Sequence, residues 1–314
     1  MIDLSISIVN TNNRDLLDKC LASIREATKK ISYEIIVVDN FSTDGSAAMV
    51  RKKYPSVILI ENSERLGFSA NHNQALRRAA GRYSTILNED TIIHTGCFDT
   101  MVEYMDAHPD TGALGPKILN PDGSLQQSVF RIPSLGLLAC NAFFLGSVFP
   151  GVPSLSDYKT WPHDSESEVP FLGGACILFP SPLIRDIGYM DAGFFIYAED
   201  PDVCLRVKKA GRRVVFLPSA AITHYGGGTF ATTSDTSLNH RLTSTLRFFR
   251  KHYGAWSVPP AAALIISGAL NHILVFSLLI PFLSEEKRDA LKAKRNYFSR
   301  VLKWHVKRPG SGKR

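Results

Sequence analysis

Short apolar runs alternate with amphipathic segments along the first third of the chain. Between the first two runs, apolar residues recur at spacings of three and four, which is typical of a helix with one buried face. Asp44 and Gly45 mark the turn into a second helix, and a third helix precedes the last run. The runs expected to form strands are residues 4–10, 33–39, 57–61 and 83–87. This alternation predicts an α/β fold with a parallel, doubly wound, Rossmann-like sheet.

Polar clusters follow three of these predicted strands. They are NTNNR at residues 10–14, DNFSTDGS at residues 39–46 and NED at residues 88–90. The carboxyl ends of parallel strands lie at one edge of a sheet, where such folds bind ligands, so the clusters are expected to converge. Turns and helix N-caps explain any one cluster about as well. Three together, two of them with a carboxylate, predict a ligand site.

The motifs that are missing narrow the class of ligand. No Gly-x-Gly-x-x-Gly follows the first predicted strand and no Walker A loop occurs, which argues against a dinucleotide oxidoreductase and a P-loop ATPase. A nucleotide could instead be held by Asp39, accepting a hydrogen bond from a base N–H. A metal would then bridge its diphosphate to Asp90.

The net charge of +7 belongs to the end of the chain. Residues 284–314 carry eleven Lys or Arg and three acids, a charge of +8, which leaves residues 1–283 at −1. Residues 254–283 contain no Asp, Glu, Lys or Arg. Composition therefore divides the chain into a globular body over 1–253, an apolar segment over 254–283 and a basic tail over 284–314. Without a recognition fold, the tail does not indicate a nucleic-acid partner.

Cysteine usage and the first residues predict an intracellular catalytic part. The five cysteines lie far apart, form no Cys-x-x-Cys pair and are odd in number, so neither a disulfide framework nor a zinc finger is expected. The first ten residues, MIDLSISIVN, carry an acid where an export signal needs basic residues, and they continue as a strand. We therefore expect no export signal and a reducing cytoplasmic environment.

Seven motifs, in order along residues 3–253, resemble those of family 2 glycosyltransferases with the GT-A fold. They are NTNNR, VVDNFSTDGS, ENSERLGFSANHNQAL, LNEDTII, FLGGACILFP, FFIYAEDPDVCLRVKKAG and ITHYGGGT. GFSANHNQAL, YAEDPDVCLR and TSTLRFFRKHYG are similar to segments of bacterial rhamnosyltransferases of cell-surface polysaccharide assembly. The resemblance implies a GT-A catalytic domain over 1–253, with a mostly parallel central sheet flanked by helices. The apolar segment and basic tail that follow predict a helical, membrane-associated extension.

The resemblance implies an inverting, metal-dependent hexosyltransferase. The expected reaction moves L-rhamnose from dTDP-rhamnose onto a surface polysaccharide or a polyprenyl-linked saccharide. A UDP-sugar donor stays open, because Asp39 can accept from N3–H of either thymine or uracil. A catalytically silent sugar-binding or scaffold subunit is the alternative from another class, and it would be expected to lack Asp90 or Asp200, which are both present. A nucleotidyltransferase would lack the late Glu-Asp pair.

The resemblance also assigns roles to single residues. Asp200 is expected to be the general base that deprotonates the acceptor hydroxyl, and Glu199 to bind the acceptor or to orient Asp200. Asp90 and His224 are expected near a divalent cation, Mg²⁺ or Mn²⁺, on the diphosphate. The residues expected to bind the nucleotide are Thr11, Asn13, Asp39, Arg65, Asn73 and Asn88.

Each assignment has a structural alternative. Gly173 and Gly174 are expected to let the backbone approach the sugar or acceptor, and a β-bulge explains them equally well. Asp200 could be a helix N-cap, and Arg65 or Asn73 could cap the helix after Gly67. His224 could be structural, although the three glycines that follow it would let a loop close over a ligand.

The apolar segment is long enough to span a bilayer, which takes roughly 20 helical residues. A single span would place the basic tail and the catalytic domain on opposite sides, against the positive-inside rule. We therefore expect a re-entrant hairpin, broken near Ser267–Gly268, or an in-plane helix pair on the cytoplasmic face of the inner (plasma) membrane. The tail is expected to form a basic amphipathic helix on anionic lipid. The alternative is a helical pair buried against the body or against another subunit of a homo-oligomer.

Overall fold

The computed structural model describes residues 1–149, 152, 163–226 and 234–307. The chain divides into two compact units. The first consists of Met1–Ile132 and Trp161–Phe230, and the second of Pro133–Thr160 and Ala231–Arg314. The predicted catalytic domain runs to residue 253, so its last helix belongs to the second unit. The extent of the catalytic domain stays a prediction.

The first unit is an α/β domain. Its first half contains β1 (Leu4–Asn10), α1 (Arg14–Ala27), β2 (Tyr33–Asp39), α2 (Ser46–Lys53), β3 (Ile58–Glu61), α3 (Phe68–Arg78), β4 (Tyr83–Asn88), β5 (Thr91–Ile93) and α4 (Cys97–Ala107). Its second half contains β6 (Thr111–Leu119), β7 (Leu125–Gln126), β8 (Val129–Phe130), β9 (Ser167–Glu168), β10 (Phe171–Leu172), β11 (Cys176–Pro180), α7 (Ser181–Asp186), α8 (Glu199–Lys209) and β12 (Arg213–His224). All four strands predicted from the sequence are present.

The main sheet has the order β3-β2-β1-β4-β11-β6-β12-β5. The pairs within β3, β2, β1 and β4 are parallel, as predicted, and so is the pair of β6 with β12. β11 runs antiparallel to both β4 and β6, because the chain enters it from the turn after β10. The sheet is therefore mixed and mostly parallel, and the fully parallel arrangement holds only for its first four strands.

The core of the first unit contains the apolar face predicted for the first helix. Leu17, Cys20, Leu21 and Ile24 of α1 are fully buried and belong to the same cluster as the inward residues of β1. All five cysteines are buried free thiols, as the sequence predicts. Burial raises the pKa of the Cys20, Cys176 and Cys204 thiols to about 12.

The second unit is helical. It contains α5 (Leu135–Ala142), α6 (Leu145–Val148), α9 (Asp235–Tyr253), α10 (Val258–Leu279) and α11 (Glu285–Lys307), with 3-10 turns at Ala255–Ser257 and Ile280–Phe282. α10 runs unbroken through Ser267–Gly268, so the predicted hairpin break is wrong. The glycine serves close packing instead: a Cβ at Gly268 would lie 3.0 Å from the Cβ of Ala142 in α5.

α11 is the amphipathic helix predicted for the basic tail, but its apolar face is covered by protein. Val301 is buried in a cluster with Leu238 and Leu242 of α9, and Phe298 packs at its edge. The Phe298 ring also stacks on His272 of α10, with ring centroids 4.2 Å apart. The tail helix therefore presents its basic side, and not this apolar face, to the surroundings.

One helical run in the described part of the chain, Ala255–Phe282, is long and apolar enough to cross a membrane, with a mean hydropathy of 2.2. Its inner side packs on α5, α9 and α11. Along its outer side Leu270, Leu274 and Leu278 are each more than half exposed, at spacings of one helical turn. We call these three residues the leucine stripe. Trp256 and Phe282, at the two ends of the run, are also exposed.

Candidate active site

The polar clusters predicted at the strand ends meet at one edge of the sheet. β1 pairs in parallel with β2 and β4, and its last residue, Asn10, lies opposite Asp39. The Asn13 amide donates to the Glu89 carboxylate over 2.7 Å, which joins the loop after β1 to the loop after β4. The convergence expected from the sequence is therefore present.

Asp39, expected to bind the nucleobase, is buried and accepts two hydrogen bonds. Asn10 Nδ2 donates to its Oδ1 over 3.2 Å, and the backbone N–H of Ser42 donates to its Oδ2 over 3.0 Å. Asn10 also donates to Ser42 Oγ, so the strand and the turn fix one another. An ionised carboxylate has about four acceptor positions, so Asp39 retains capacity for a ligand N–H. Sequence reasoning missed Asn10 because it closes a buried strand.

Asn40 and Asn71 hold the loop that precedes α3. The Leu66 N–H donates to Asn40 Oδ1 over 2.8 Å, and Asn71 Nδ2 donates to the Leu66 carbonyl over 3.1 Å. Asn40 Nδ2 also donates to Thr11 Oγ1 over 3.3 Å, so Thr11 belongs to the same hydrogen-bonded group. Side chains from three segments therefore fix the shape of this loop.

Two expected nucleotide-binding residues do not join this group. The Arg65 side chain is exposed. Asn73 is buried, and its amide exchanges two hydrogen bonds with the backbone of Met190, at 2.7 and 3.0 Å. This pairing ties α3 to the segment ahead of α8 and accounts for the burial of Asn73. Nucleotide binding by Arg65 and Asn73 stays a prediction.

The segment ahead of α8 also rests on the start of α3, a contact that the sequence does not reveal. The Phe68 N–H donates to the Phe195 carbonyl over 2.7 Å. A Cβ on Gly67 would lie 2.7 Å from the Phe195 Cα, so the approach requires a residue without a side chain. Gly67 thereby brings the loop after β3 against the loop that leads to Glu199 and Asp200.

An open cleft of about 350 Å³ lies beside the end of β1. Its lining includes Asn13, one of the expected nucleotide-binding residues. The lining residues are Asn12, Asn13, Arg14, Asp15, Leu16 and Asp44. The cleft adds space for a ligand next to the Asn13–Glu89 hydrogen bond.

His224 stands beside Asp90 and Asn88. Its Nε2 lies 3.1 Å from Asp90 Oδ1 and 3.2 Å from Asn88 Nδ2. Asp90 Oδ1 is buried and has no hydrogen-bond partner among the residues that the structure describes. The Tyr225 N–H donates to the Asp90 carbonyl over 2.9 Å, which aligns the end of β12 with the loop after β4. Of the three glycines expected to form a closing loop, Gly227 and Gly228 lie outside the described residues.

The Asp90–His224 pair fits a divalent cation. Adjacent ligands of an octahedral ion with bonds of about 2.1 Å lie about 3.0 Å apart, close to the separation of Oδ1 and Nε2. No group of three or more His, Cys, Asp or Glu within the described ranges could hold a metal by itself. Mg²⁺ needs no such group, because it usually binds one or two carboxylates together with substrate phosphates and water.

Gln126 of β7 contacts the opposite side of the His224 ring. Its Oε1 lies 2.6 Å from His224 Nδ1, and its Nε2 donates to the His224 carbonyl over 3.2 Å. The same Nε2 donates to Asn120 Oδ1 over 2.8 Å. No sequence motif pointed to Gln126, which lies in a short hairpin 98 residues before the histidine.

The Asp200 carboxylate lies against the turn that contains Gly173 and Gly174. The Gly174 N–H donates to Asp200 Oδ2 over 3.0 Å, and a Cβ at position 174 would lie 2.8 Å from the Asp200 Cγ. The two glycines connect β10 to β11, so the β-bulge interpretation is wrong. The close approach in the structure is with Asp200, and contact with a sugar or acceptor stays a prediction.

Glu199 and Asp200 form the first turn of α8, after a sharp change of chain direction. Tyr197 and Ala198 both have positive φ, at 69° and 66°, a costly conformation for residues other than glycine. Ala198 is the N-cap, so the interpretation of Asp200 as the N-cap is wrong. Strained backbone of this kind persists where surrounding contacts fix a functional side chain.

Burial sets the protonation of this pair. It raises the pKa of Asp200 to about 7, against the opposing effect of the hydrogen bond from Gly174. Burial, and then the charge of Asp200, raises the pKa of Glu199 well above its usual range. Asp200 Oδ1 and Glu199 Oε2 have no hydrogen-bond partner in the part of the chain that is described. A carboxylate with a pKa near neutrality is suited to accept a proton.

The Asp200 turn and the Asp90 group are held by neighbouring strands. β11, which begins after the turn at Gly174, pairs with β4, which leads to Asn88 and Asp90. The Asn88 N–H donates to the carbonyl of Ala175, the residue after Gly174, over 3.0 Å. One backbone hydrogen bond therefore links the turn that contacts Asp200 to the strand that leads to the expected cation site.

Comparison with known proteins gives the same family at the level of sequence and fold. A family model described as glycosyl transferase family 2 matches residues 5–136. The N-acetylglucosaminyl-diphospho-decaprenol L-rhamnosyltransferase of Mycobacterium tuberculosis is 31% identical over 277 residues, covering 84% of this chain and 90% of that protein. The rhamnosyltransferase WbbL of Escherichia coli is 26% identical over 255 residues, covering 78% of this chain and 92% of that protein.

A solved structure shares the fold. The mannosyltransferase PcManGT of Pyrobaculum calidifontis, in complex with GDP-Man and Mn²⁺, has a TM-score of 0.58 at 17% identity, covering 97% of this chain and 87% of that chain. The mixed sheet, the strand-end site and a relative 31% identical along most of both chains lead to one conclusion. The chain belongs to glycosyltransferase family 2, with bacterial rhamnosyltransferases among its relatives, and it is a glycosyltransferase.

Proposed function

We propose that the protein transfers L-rhamnose from dTDP-rhamnose to a lipid-linked saccharide, with inversion at the anomeric carbon and with a divalent cation. The observation that carries the proposal is the Asp200 carboxylate, which accepts from Gly174, has one buried oxygen without a partner among the described residues, and has a pKa raised to about 7. Asp200 accepts the proton of the acceptor hydroxyl as the acceptor oxygen bonds to the anomeric carbon. The bond to the diphosphate breaks on the opposite face, and the nucleoside diphosphate leaves.

The strand-end cluster holds the nucleotide in this proposal. Asp39 accepts from the base N3–H with the capacity that Asn10 and Ser42 leave free, and Thr11 and Asn13 line the same edge. Asp90 and His224 hold the cation, with Asn88 beside them. When bound, Mg²⁺ or Mn²⁺ stabilises the negative charge that develops on the leaving diphosphate.

The donor and the acceptor are taken from the relatives. Both curated relatives described above are named as rhamnosyltransferases, and the name of the mycobacterial one specifies a polyprenol-linked N-acetylglucosamine. A UDP-sugar is the competing donor, because uracil and thymine present the same N3–H to Asp39. Supply of a diphospho-polyprenol acceptor would place the reaction at a membrane.

A donor screen tests the proposal. Purified full-length protein is incubated with dTDP-rhamnose or a panel of UDP-sugars, a short-chain polyprenyl-diphospho-N-acetylglucosamine and Mg²⁺ or Mn²⁺. Release of dTDP together with a product whose anomeric configuration is opposite to that of the donor supports the proposal. Transfer from a UDP-sugar alone would contradict the proposed donor, retention of configuration would contradict inversion, and full activity in a chelator would contradict metal dependence. The Asp200→Asn variant controls for background hydrolysis.

We also propose that the second unit holds the enzyme at the cytoplasmic face of the membrane with α10 in the plane of the lipid. The leucine stripe lies on the side of α10 opposite to its packing on α5, α9 and α11. α11 lies along α10, and its Lys292, Lys294 and Arg295 would enter the hydrocarbon if α10 crossed it. Each such charge costs at least roughly 2.5 kcal/mol on insertion scales, whereas an in-plane arrangement leaves them at the headgroups.

Vesicle sedimentation tests this location. Replacement of the leucine stripe (Leu270→Ser, Leu274→Ser and Leu278→Ser) is expected to reduce binding to phosphatidylglycerol-containing vesicles at least about tenfold, because it removes apolar side chains that would enter lipid. Ile58→Ser with Leu125→Ser, two exposed apolar residues of the first unit, is the matched control. If the stripe variant binds vesicles as well as the unaltered protein does, the leucine stripe does not bind lipid. If the unaltered protein and the control variant are dimers and the stripe variant is a monomer, the stripe is a subunit interface.

A further inference from the structure

The Gln126–His224 contact fixes which nitrogen of the His224 ring carries hydrogen. Gln126 Nε2 donates to two carbonyl oxygens, those of His224 and of the Asn120 side chain. Reversing the amide would turn an oxygen toward both acceptors, so the orientation with Oε1 toward the ring is the favoured one. An oxygen 2.6 Å from Nδ1 requires a hydrogen on Nδ1.

The neutral His224 ring then has a bare Nε2. This nitrogen lies 3.1 Å from Asp90 Oδ1, an acceptor oxygen that is itself buried without a hydrogen-bond partner among the described residues. Two acceptors at this distance repel one another unless a positive charge lies between them. The Asn88 amide lies 3.2 Å from Nε2 and can donate to that nitrogen, but it makes no hydrogen bond to Asp90 Oδ1.

We propose that Gln126 is a positioning residue for the cation site: it holds His224 in the Nδ1–H form, so that Nε2 and Asp90 Oδ1 act together as metal ligands. The inference rests on the proposed metal dependence and deepens it. Metal-bound histidines generally donate their second ring N–H to an acceptor, and losing that acceptor typically weakens metal affinity roughly 10–100-fold.

The surrounding hairpin supports this role. Gln126 lies in β7, which pairs with β6 through Ile118 opposite Gln126. Asn120 and Ser124 close the hairpin, with the Asn120 N–H donating to the Ser124 carbonyl over 2.8 Å. The hairpin thus fixes the Gln126 backbone at the sheet, while the amide spans from Asn120 to the histidine ring. A glutamine that only filled space would need neither hydrogen bond.

Three variants separate a positioning role from a packing role. Gln126→Leu keeps most of the volume and removes the acceptor, Gln126→Glu keeps an acceptor for Nδ1–H, and Ser124→Ala alters the same hairpin without touching His224. Long-range ¹H–¹⁵N spectra of the metal-free proteins report which ring nitrogen of His224 is protonated. Calorimetry with Mn²⁺, alone and with dTDP, reports metal affinity, and thermal unfolding confirms that each variant is folded.

The expected result is Nδ1–H in the unaltered protein, Gln126→Glu and Ser124→Ala, and a mixed or Nε2–H form in Gln126→Leu. Mn²⁺ affinity should fall roughly 10–100-fold in Gln126→Leu, and Gln126→Glu, which keeps the acceptor but loses the donor to Asn120 Oδ1 and the His224 carbonyl, should recover part of the loss. A folded Gln126→Leu protein with an unchanged tautomer or unchanged Mn²⁺ affinity overturns the inference. If the unaltered protein binds no Mn²⁺ even with dTDP, the proposed metal dependence fails instead, and the spectra alone still decide whether Gln126 sets the tautomer.

Discussion

Two carboxylates of this glycosyltransferase, Asp39 and Asp200, have opposite surroundings. Both oxygens of Asp39 accept hydrogen bonds, from Asn10 and from the backbone of Ser42. Asp200 accepts one, from Gly174, and its second oxygen is buried without a partner in the described part of the chain. Two donors therefore occupy the Asp39 carboxylate, whereas burial of Asp200, which has a single donor there, raises the pKa of Asp200 to about 7.

The proposed function gives the two carboxylates different tasks. Asp39 offers a ligand N–H the acceptor positions that Asn10 and Ser42 leave open. Asp200, with its pKa raised by burial to about 7, can take a proton at neutral pH. The surroundings differ because Asn10 and the turn after β2 supply two donors to Asp39, whereas Gly174 supplies one to Asp200 at the start of α8.

Removing the proton acceptor should have the largest effect. Asp200→Asn keeps the size of the side chain but cannot accept the acceptor proton, so transfer is expected to fall by roughly 10²–10⁴. Binding of dTDP, measured by calorimetry, should change less than threefold. Transfer within a factor of five of the unaltered enzyme would remove Asp200 from this role.

Moving the Asp200 carboxylate out of place should lower the transfer activity less than replacing it with an amide. A Cβ in Gly174→Ala would overlap Asp200, so the carboxylate must shift, and a misplacement on the order of 1 Å can lower turnover roughly 10²-fold. Gly173→Ala, whose Cβ would lie 3.1 Å from Phe130 Cε2, is the neighbouring control. Steady-state kinetics should show a larger fall in kcat for Gly174→Ala, and equal losses would contradict a specific contact with Asp200.

Replacing Asp39, the other carboxylate, should weaken nucleotide binding more than it slows turnover. Asp39→Asn would set an amide against the Ser42 N–H or the Asn10 amide and lose the charge that attracts the base N–H. A charged hydrogen bond contributes about 1.5–3 kcal/mol, so dTDP affinity is expected to fall at least about tenfold, with kcat at saturating donor changed less. A fall confined to kcat would show that Asp39 does not hold the nucleotide.

The smallest expected effect is the pH dependence of the unaltered enzyme. Asp200 must be ionised to act as a base, so activity should rise with pH and reach half of its plateau at about pH 7. For one group of this pKa, the ionised fraction rises about tenfold from pH 6 to pH 8. Initial rates of dTDP release, at saturating donor and acceptor, measure it. A flat profile across this range would contradict the raised pKa or the base role.

The sequence predicts the convergence of the strand-end clusters well because the interactions that create it are local. Strand and helix alternation fixes the order of β1, β2 and β4, so residues directly after those strands, such as Asp39 and Asp90, must converge. The antiparallel β11 and the unbroken α10 depend on contacts between distant segments. Gly268 shows the limit, since its close contact with Ala142 gives it a packing role that looks like a helix break in the sequence.

The side-chain contacts that the sequence does not predict share a physical cause. Gln126 contacts a histidine 98 residues away, and the amide of Asn73 pairs with a backbone 117 residues away. Neither pairing leaves a periodic pattern or a motif, because one side chain meets one distant group. The sequence therefore indicates the candidate ligand-binding residues at this edge more readily than the contacts that orient them.

The burial of the cysteines has a consequence for spectroscopy. All five thiols are buried, and burial raises the pKa of three of them to about 12, so little reactive thiolate forms in the folded protein at neutral pH. A cysteine introduced at an exposed position such as Glu64 would be labelled selectively, without first removing the native ones. A fluorophore at that position would test in real time whether added nucleotide changes the surroundings of the loop before α3.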